Sequence, residues 1–278
     1  MPAVIHDQVV SLTPRVRRVT ANNPGIMTGP GTNSYIVGQR ELAIIDPGPA
    51  DQPHIDALLN AVGNRLKWVL VTHTHPDHSP AAKALVAATG ARLLGNVLAT
   101  NDGLQDDTCV PDQSFRHDEL LDTDEFTLRA LLTPGHVGNH VCYLLEDDGV
   151  LMTGDHIMQG STVVIVPPHG DMKDYIDSLT LLRNYPVKRI APGHGDLITD
   201  PQKEIDYLIN HRLGREAKVI ERLTQLAPVS LETLTSSVYD DVDPALHPVA
   251  QHSLLAHLLK LEREERVHQH DDLWRMAR

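Results

Sequence analysis

The chain has 278 residues, a formal net charge of −13, 41% hydrophobic residues and 22% charged ones. This is enough chain for one large domain, or a large and a small one, at the composition of an ordinary globular protein. The acidic balance argues against a broad phosphate-neutralising surface, and no stretch approaches the roughly 20 apolar residues that span a bilayer.

Residues 1–11 lack a basic run followed by an apolar core, so no secretory leader is expected. Two cysteines, Cys109 and Cys142, do not make a disulfide framework, and a reduced, cytoplasmic setting fits. Residues 35–37, 42–45 and 68–71 read as buried strands. Residues 51–62 read as a helix, with Ile55, Leu58, Leu59 and Val62 at helical spacing. Ser79-Pro80 looks like an N-cap followed by a first-turn proline, and Gly90 is placed to end that second helix. Further strands are predicted at 91–94, 126–132, 141–145, 150–152, 163–166 and 188–190, and a helix at 171–183.

The pattern changes near residue 201. Residues 202–226 read as one long helix despite Gly214, and shorter helices follow at 231–239 and 245–261. Residues 266–276 suggest a hairpin, so this segment predicts either a winged-helix-like appendage or a helical bundle. Glu262, Glu264, Glu265, Asp271 and Asp272 put acid where a wing would meet phosphate, which argues against a DNA-reading regulator.

Histidine is the unusual count, at 17. In His73-Thr74-His75-Pro76-Asp77-His78 an apolar strand ends and delivers histidines at i and i+2. Side chains two apart in extended chain point the same way, so His73 and His75 can chelate one ion. Asp77 and His78 can then reach a second ion after the turn at Pro76. Three more strand ends repeat the arrangement of strand, small-residue turn and ligand. They are Thr133-Pro134-Gly135-His136, Thr153-Gly154-Asp155 and Pro192-Gly193-His194. Glycine at such points lets backbone approach closely.

This ordered set resembles the metallo-β-lactamase superfamily, with its His-x-His-x-Asp-His motif followed by an isolated His, an Asp and a final His. The resemblance covers about the first 200 residues. It implies that His73, His75 and His136 hold one metal, that Asp77, His78 and His194 hold another, and that Asp155 bridges them. It also implies a four-layer αββα sandwich in the α/β class. Asp46 falls where the family has an aspartate that orients a ligand loop, or is a turn residue before Pro47-Gly48. Asn23-Pro24-Gly25, Gly31-Thr32-Asn33-Ser34-Tyr35, Pro167-Pro168 with Gly170-Asp171-Met172, and Asn210-His211-Arg212 are similar to the β-lactamase-like protein 2 group. That group carries a C-terminal winged-helix-like domain, so a catalytic domain is expected over 1–200 and the appendage over 201–278. His156 departs from the pattern, and either supports a ligand from behind or simply packs.

Two divalent ions, zinc first and manganese or iron(II) as alternatives, would lower the pKa of water from about 15.7 toward 7 and share the resulting hydroxide. The expected activity is hydrolysis of an ester, thioester or related acyl bond of a small molecule. The alternatives are a phosphodiesterase or an endoribonuclease acting on short single-stranded RNA. Asp77 is the candidate catalytic residue, orienting hydroxide or taking a proton. Asn33, His140, Ser161, Thr162, His169 and Tyr175 are candidate substrate-binding residues, with His140 equally readable as a strand-start histidine. A homodimer is possible, a membrane partner is not expected, and a di-iron redox protein would carry Glu where this chain has His75.

Overall fold

The computed structural model describes residues 4–100 and 103–277. The chain packs into two compact units. The first takes in the chain up to Thr133, then Asn139–Ser161 and Tyr185–Pro201. The second takes Pro134–Gly138, Thr162–Asn184 and the chain from Gln202 onward.

The first unit is built on two sheets. One has six strands in chain order: β1 (Val9–Ser11), β2 (Val16–Thr20), β3 (Asn33–Val37), β4 (Leu42–Ile45), β5 (Leu66–Leu70) and β6 (Arg92–Leu94). Its β4–β5 and β5–β6 pairs are parallel, and the earlier pairs are antiparallel. The other has β7 (Glu119–Asp122), β8 (Thr127–Leu132), β9 (Val141–Leu145), β10 (Val150–Gly154) and β11 (Arg189–Pro192), in the order β11-β10-β9-β8-β7.

Strand residues alternate between two cores because side chains in a strand point to opposite faces. Tyr35, Val37, Ala43, Ile45 and Leu70 join Leu128, Ala130, Val141, Tyr143, Leu145 and Met152 in the core between the sheets. Their neighbours Ile36, Leu42, Ile44, Val69 and Val71 pack against α1 (Gln52–Val62) and α2 (Ala81–Thr89) through Ile55, Leu58, Val62, Ala82 and Leu85. Burial on both faces explains why β4, β9 and residues 35–37 of β3 read as unbroken apolar runs. Strands β1, β2 and β7 escape that signal, being short or carrying Arg17, Arg18, Glu119 and Asp122.

The second unit holds α3 (Met172–Leu182), nearly all of α4 (Pro201–Leu226), β12 (Val229–Ser230), α5 (Leu231–Val238), α6 (His247–Arg263), β13 (Val267–His270) and β14 (Leu273–Met276). A three-stranded sheet in the order β12-β14-β13 and helices α4–α6 close around Leu223, Leu234, Leu254, Leu258, Val267 and Trp274. Among the described residues no helix is long and apolar enough to cross a membrane.

Two local expectations are corrected. Residues 163–166 form no strand. Arg212 donates to the Val163 carbonyl at 2.5 Å, and the Ile165 N–H donates to the Ser253 hydroxyl at 3.4 Å, so side chains of α4 and α6 take backbone groups that a ladder would use. Ser79 does not cap α2; its hydroxyl donates to Asp106 Oδ2 at 2.7 Å and Pro80 occupies the cap position.

Candidate metal centre

The ends of parallel strands assemble the site. Asp46 follows β4 and the chain through Thr72 follows β5, so the parallel pairing sets them side by side. Asp46 Oδ1 accepts the Thr72 N–H at 2.7 Å, and Oδ2 accepts the Thr72 hydroxyl at 2.8 Å and His78 Nδ1 at 2.9 Å. The Val141 N–H donates to the Thr72 carbonyl and the Tyr143 hydroxyl to the Val71 carbonyl, both at 2.8 Å, which pins the end of β5 to β9. β10 and β11 are also parallel, so Asp155 and His194 leave the second sheet at one end.

Two side-chain groups emerge. His73, His75, His136 and Asp155 each offer a ligand atom, and these atoms all lie within 4.8 Å of one another. Asp77, His78 and His194 form a second group by the same measure. Asp155 Oδ1 also lies 3.2 Å from His78 Nε2 and 3.1 Å from His194 Nε2, so one carboxylate borders both groups.

The donor chemistry fits a pair of cations. His136 Nδ1 is 2.9 Å from the Val164 carbonyl and His194 Nδ1 is 3.2 Å from the Gly31 carbonyl. A carbonyl only accepts, so each Nδ1 carries a hydrogen, and each Nε2 offers its lone pair when the ring is neutral. Asp46 holds His78 in the same tautomer. Thr72, whose hydroxyl donates to Asp46, accepts from His73 Nδ1 at 3.0 Å. Such outer partners are what orient metal-ligating imidazoles. The Nε2 atoms of His78 and His194 are buried and make no well-directed hydrogen bond, although carboxylate oxygens lie 3.1–3.4 Å away. The backbone leaves room for these side chains: a Cβ on Gly193 would sit 2.8 Å from His78 Cε1 and 2.9 Å from Asp155 Oδ1.

Charge tells the same story. Burial works against a proton on His78, yet Asp77, Asp155 and Asp46 outweigh it and raise its pKa well above the usual imidazole value. His194 is likewise pushed up to about 9, with burial opposing and Asp155 favouring its charge. Burial, with the neighbouring His78 and His75, holds His73 well below its ordinary value, so its nitrogen is a free base. Asp77 and Asp155 stay ionised, because His78 and His194 overcome the cost of burying them. A focus of carboxylate charge ringed by imidazoles whose protons a cation can displace suits a cation.

The other expected residues divide by burial. Asn33 is 1% exposed, and its amide donates to the carbonyls of Pro192 and Gly195 at 3.0 and 2.8 Å. It holds the His194 turn, which corrects its reading as a substrate contact. Tyr175 is fully buried beneath the Arg212 guanidinium and beside Gly135, which corrects it too. His140 is buried, stacks on His73 with ring centroids 5.1 Å apart, and contacts Thr133 Oγ1 at 3.0 Å, so it backs a ligand instead of meeting solvent. His156 is buried beside His140. Ser161 is exposed, and Thr162 and His169 are half-buried. Cys109 and Cys142 are both pushed up to about 12 by burial and are no nucleophiles. Sequence reading assigned no role to Thr72; the available signal was a hydroxyl placed between an apolar strand and the first histidine.

Residues 27–194 match the model of the metallo-beta-lactamase superfamily, and residues 230–274 match the beta-lactamase associated winged helix domain. The chain belongs to the metallo-beta-lactamase superfamily. It has that superfamily's α/β sandwich and a C-terminal winged helix, and it is an enzyme of the hydrolase class. Over 272 residues it is 31% identical to the Beta-lactamase-like protein 2 homolog of Drosophila melanogaster, covering 93% of this chain and 91% of that relative. It is 34% identical to an Atrochrysone carboxyl ACP thioesterase of Aspergillus chevalieri over 268 residues, covering 89% of this chain and 82% of the relative. A Beta-lactamase domain protein from Burkholderia ambifaria shares the superfamily's fold at a TM-score of 0.82 and 19% identity, covering 99% of this chain and 96% of that one.

Proposed function

We propose that this chain binds two divalent ions, zinc foremost, and hydrolyses an ester, thioester or related acyl bond of a small molecule in the cytoplasm. His73, His75, His136 and Asp155 would hold one ion; Asp77, His78, His194 and the same Asp155 would hold the other. The catalytic domain would span residues 1–200 and the winged-helix appendage 201–278. The observation that carries the reading is the placement of Asp155, grouped with three histidines on one side and 3.1–3.2 Å from two more on the other.

Ions held there would supply Lewis acidity, the chemistry that makes hydroxide available near neutral pH. The chain's own residues supply the rest. Thr32 donates to Asp77 Oδ2 at 3.3 Å and fixes that carboxylate, which its imidazole neighbours keep ionised, so it would orient the nucleophile. Asp46 holds His78 directly and His73 through Thr72, each in one tautomer. Ser161, Thr162 and His169 would contact substrate. The acyl preference draws on the relative named a thioesterase and on the net charge of −13.

The test is metal content by mass spectrometry alongside turnover of a thioester, an aryl ester, a bis-aryl phosphodiester and a short single-stranded RNA. The expected result is two ions per chain and turnover of the acyl substrates. Cleavage confined to the phosphodiester or the RNA would replace the acyl reading with a phosphodiesterase.

A further inference from the structure

A cavity of about 500 Å³ lies in the first unit, lined by Val4, His6, Pro24, Pro30, Gln159, Gly160, Gly195 and Asp196. None of these eight was a candidate substrate contact from the sequence. Small-molecule sites are concave, mostly apolar, and of this size.

The cavity borders the second ligand group through two segments of chain. Gly195 adjoins His194, and Pro30 adjoins Gly31, whose carbonyl is the partner of His194 Nδ1 at 3.2 Å. The next residue, Thr32, donates to Asp77 Oδ2. Gln159 also touches this turn, its N–H donating to the His194 carbonyl at 3.4 Å. A loop over residues 23–31 is tied at its base: Asn23 Oδ1 accepts the Thr32 N–H at 2.8 Å and Asn23 Nδ2 donates to Thr32 Oγ1 at 2.9 Å. The loop therefore stands firmly beside the cavity, while its tip presents Ile26 and Met27, 85% and 56% exposed.

The wall chemistry decides the occupant. Val4, Pro24 and Pro30 supply apolar surface, and Gln159 supplies a neutral amide. The one carboxylate, Asp196, is already paired with Arg18 at 2.9 Å, and Arg18 also donates to the Gly195 carbonyl. His6 Nε2 is engaged by the Pro30 carbonyl at 2.8 Å. A phosphate-bearing ligand would want clustered Arg and Lys here, and the lining residues contain neither.

We propose that this cavity is the acyl subsite: it takes the uncharged, ring-sized apolar acyl group of the substrate and so presents the reacting carbonyl to the neighbouring ligand groups. The proposal rests on the acyl-hydrolase reading above. It makes the preferred substrate an ester or thioester of a bulky aromatic or branched acid, with specificity set by the acyl side.

The experiment uses the full chain and two thioesters with one leaving group, S-phenyl thioacetate and S-phenyl 2-thionaphthoate. It adds calorimetric titration with 2-naphthamide, which needs no turnover. Val4→Trp and Pro24→Trp fill the cavity from two different segments, and circular dichroism checks that each folds. The wild type should favour the naphthoyl ester by at least tenfold in kcat/KM. Each variant should cut that ratio at least tenfold and weaken naphthamide binding at least tenfold. An unchanged ratio and unchanged binding in a folded variant would overturn the subsite, even with both thioesters hydrolysed. Naphthamide binding that is lost in the variants, with no thioester turned over by the wild type, would sink the acyl-hydrolase reading and leave an apolar ligand site. If neither variant folds, Gln159→Trp repeats the comparison from a third segment of the wall.

Discussion

The Asp46 carboxylate takes both hydrogens of Thr72, from the backbone N–H at 2.7 Å and from the hydroxyl at 2.8 Å. The hydroxyl, having given its proton away, can only accept from His73 Nδ1. The same carboxylate holds His78 directly at 2.9 Å. One buried side chain therefore sets imidazoles in both ligand groups.

Asp46→Asn should lower metal affinity or activity by roughly 10–100-fold, the usual cost of losing such a partner. An amide can present only one acceptor oxygen where this site needs two, and its NH2 would face a donor. Thr72→Val should weaken the first group more than the second, because only His73 is reached through the hydroxyl. Thr72→Ser should restore it. Metal content after dialysis against a chelator of known affinity reads both effects.

Gly193→Ala tests the cradle. Its Cβ would press on His78 Cε1 and Asp155 Oδ1 from under 3 Å. The second group should lose its ion first, so the expected stoichiometry falls from two ions per chain toward one, with activity reduced by at least tenfold. Two tightly held ions in the variant would show that the ring can move aside at no cost.

Removing metal should destabilise the fold. Asp155, buried, and Asp77, half-buried, are carboxylates kept ionised by their surroundings. An ion that binds only the folded chain adds about 2.7 kcal/mol at a free concentration 100 times its Kd. Chelation should lower the thermal midpoint by several degrees, and added zinc should restore it. An unchanged midpoint would mean that the groups do not bind metal tightly.

The second unit carries its own pH dependence. His257 is buried against Glu216, with Lys260 and Arg212 adding positive charge nearby, and its pKa lies below the ordinary 6.5, chiefly through burial. The unfolded chain takes up that proton near 6.5 while the folded chain resists it. Its contribution to stability is thus present above pH 6.5 and is lost as pH falls toward the folded value. Urea unfolding should show lower stability at pH 5.5 than at 7.5, and His257→Gln should flatten the difference. A slope identical in the variant would assign the effect to other groups, such as His54, which burial also lowers.

Glu216→Ala should destabilise the second unit by about 1–3 kcal/mol. Glu216 accepts from Lys260 at 2.9–3.0 Å, and both are nearly buried. Glu264, 2.8 Å from Lys260, retains part of the compensation and keeps the loss below that of an isolated buried ion. Glu216→Gln should recover part of it, since an amide oxygen still accepts from the ammonium. Calorimetric unfolding distinguishes the variants.

The order of the ligand set was legible in the sequence because it is a local pattern. Buried strands must end in something, and here four of them end in glycine or proline turns and a histidine or aspartate. Apolar runs at 35–37, 42–45 and 141–145 marked fully buried strands for the same local reason. Helix lengths and a terminal hairpin left a winged helix or a bundle, and the short β12 that completes the winged-helix sheet carries no periodicity.

Only the tertiary structure decided which side of each residue is used. Asn33 looked like a pocket residue and holds the His194 turn from within. Tyr175 looked like a substrate contact and lies buried under Arg212. Thr72 had no role assigned from the sequence and sets a ligand's tautomer. The physical reason is that hydrogen-bond partners here are distant in sequence, such as Asn33 with Pro192 or Thr32 with Asp77. Residue type and local spacing identify which groups can bind a cation. Which of them point at it, and what holds them there, follows from strand register and from the packing of two sheets.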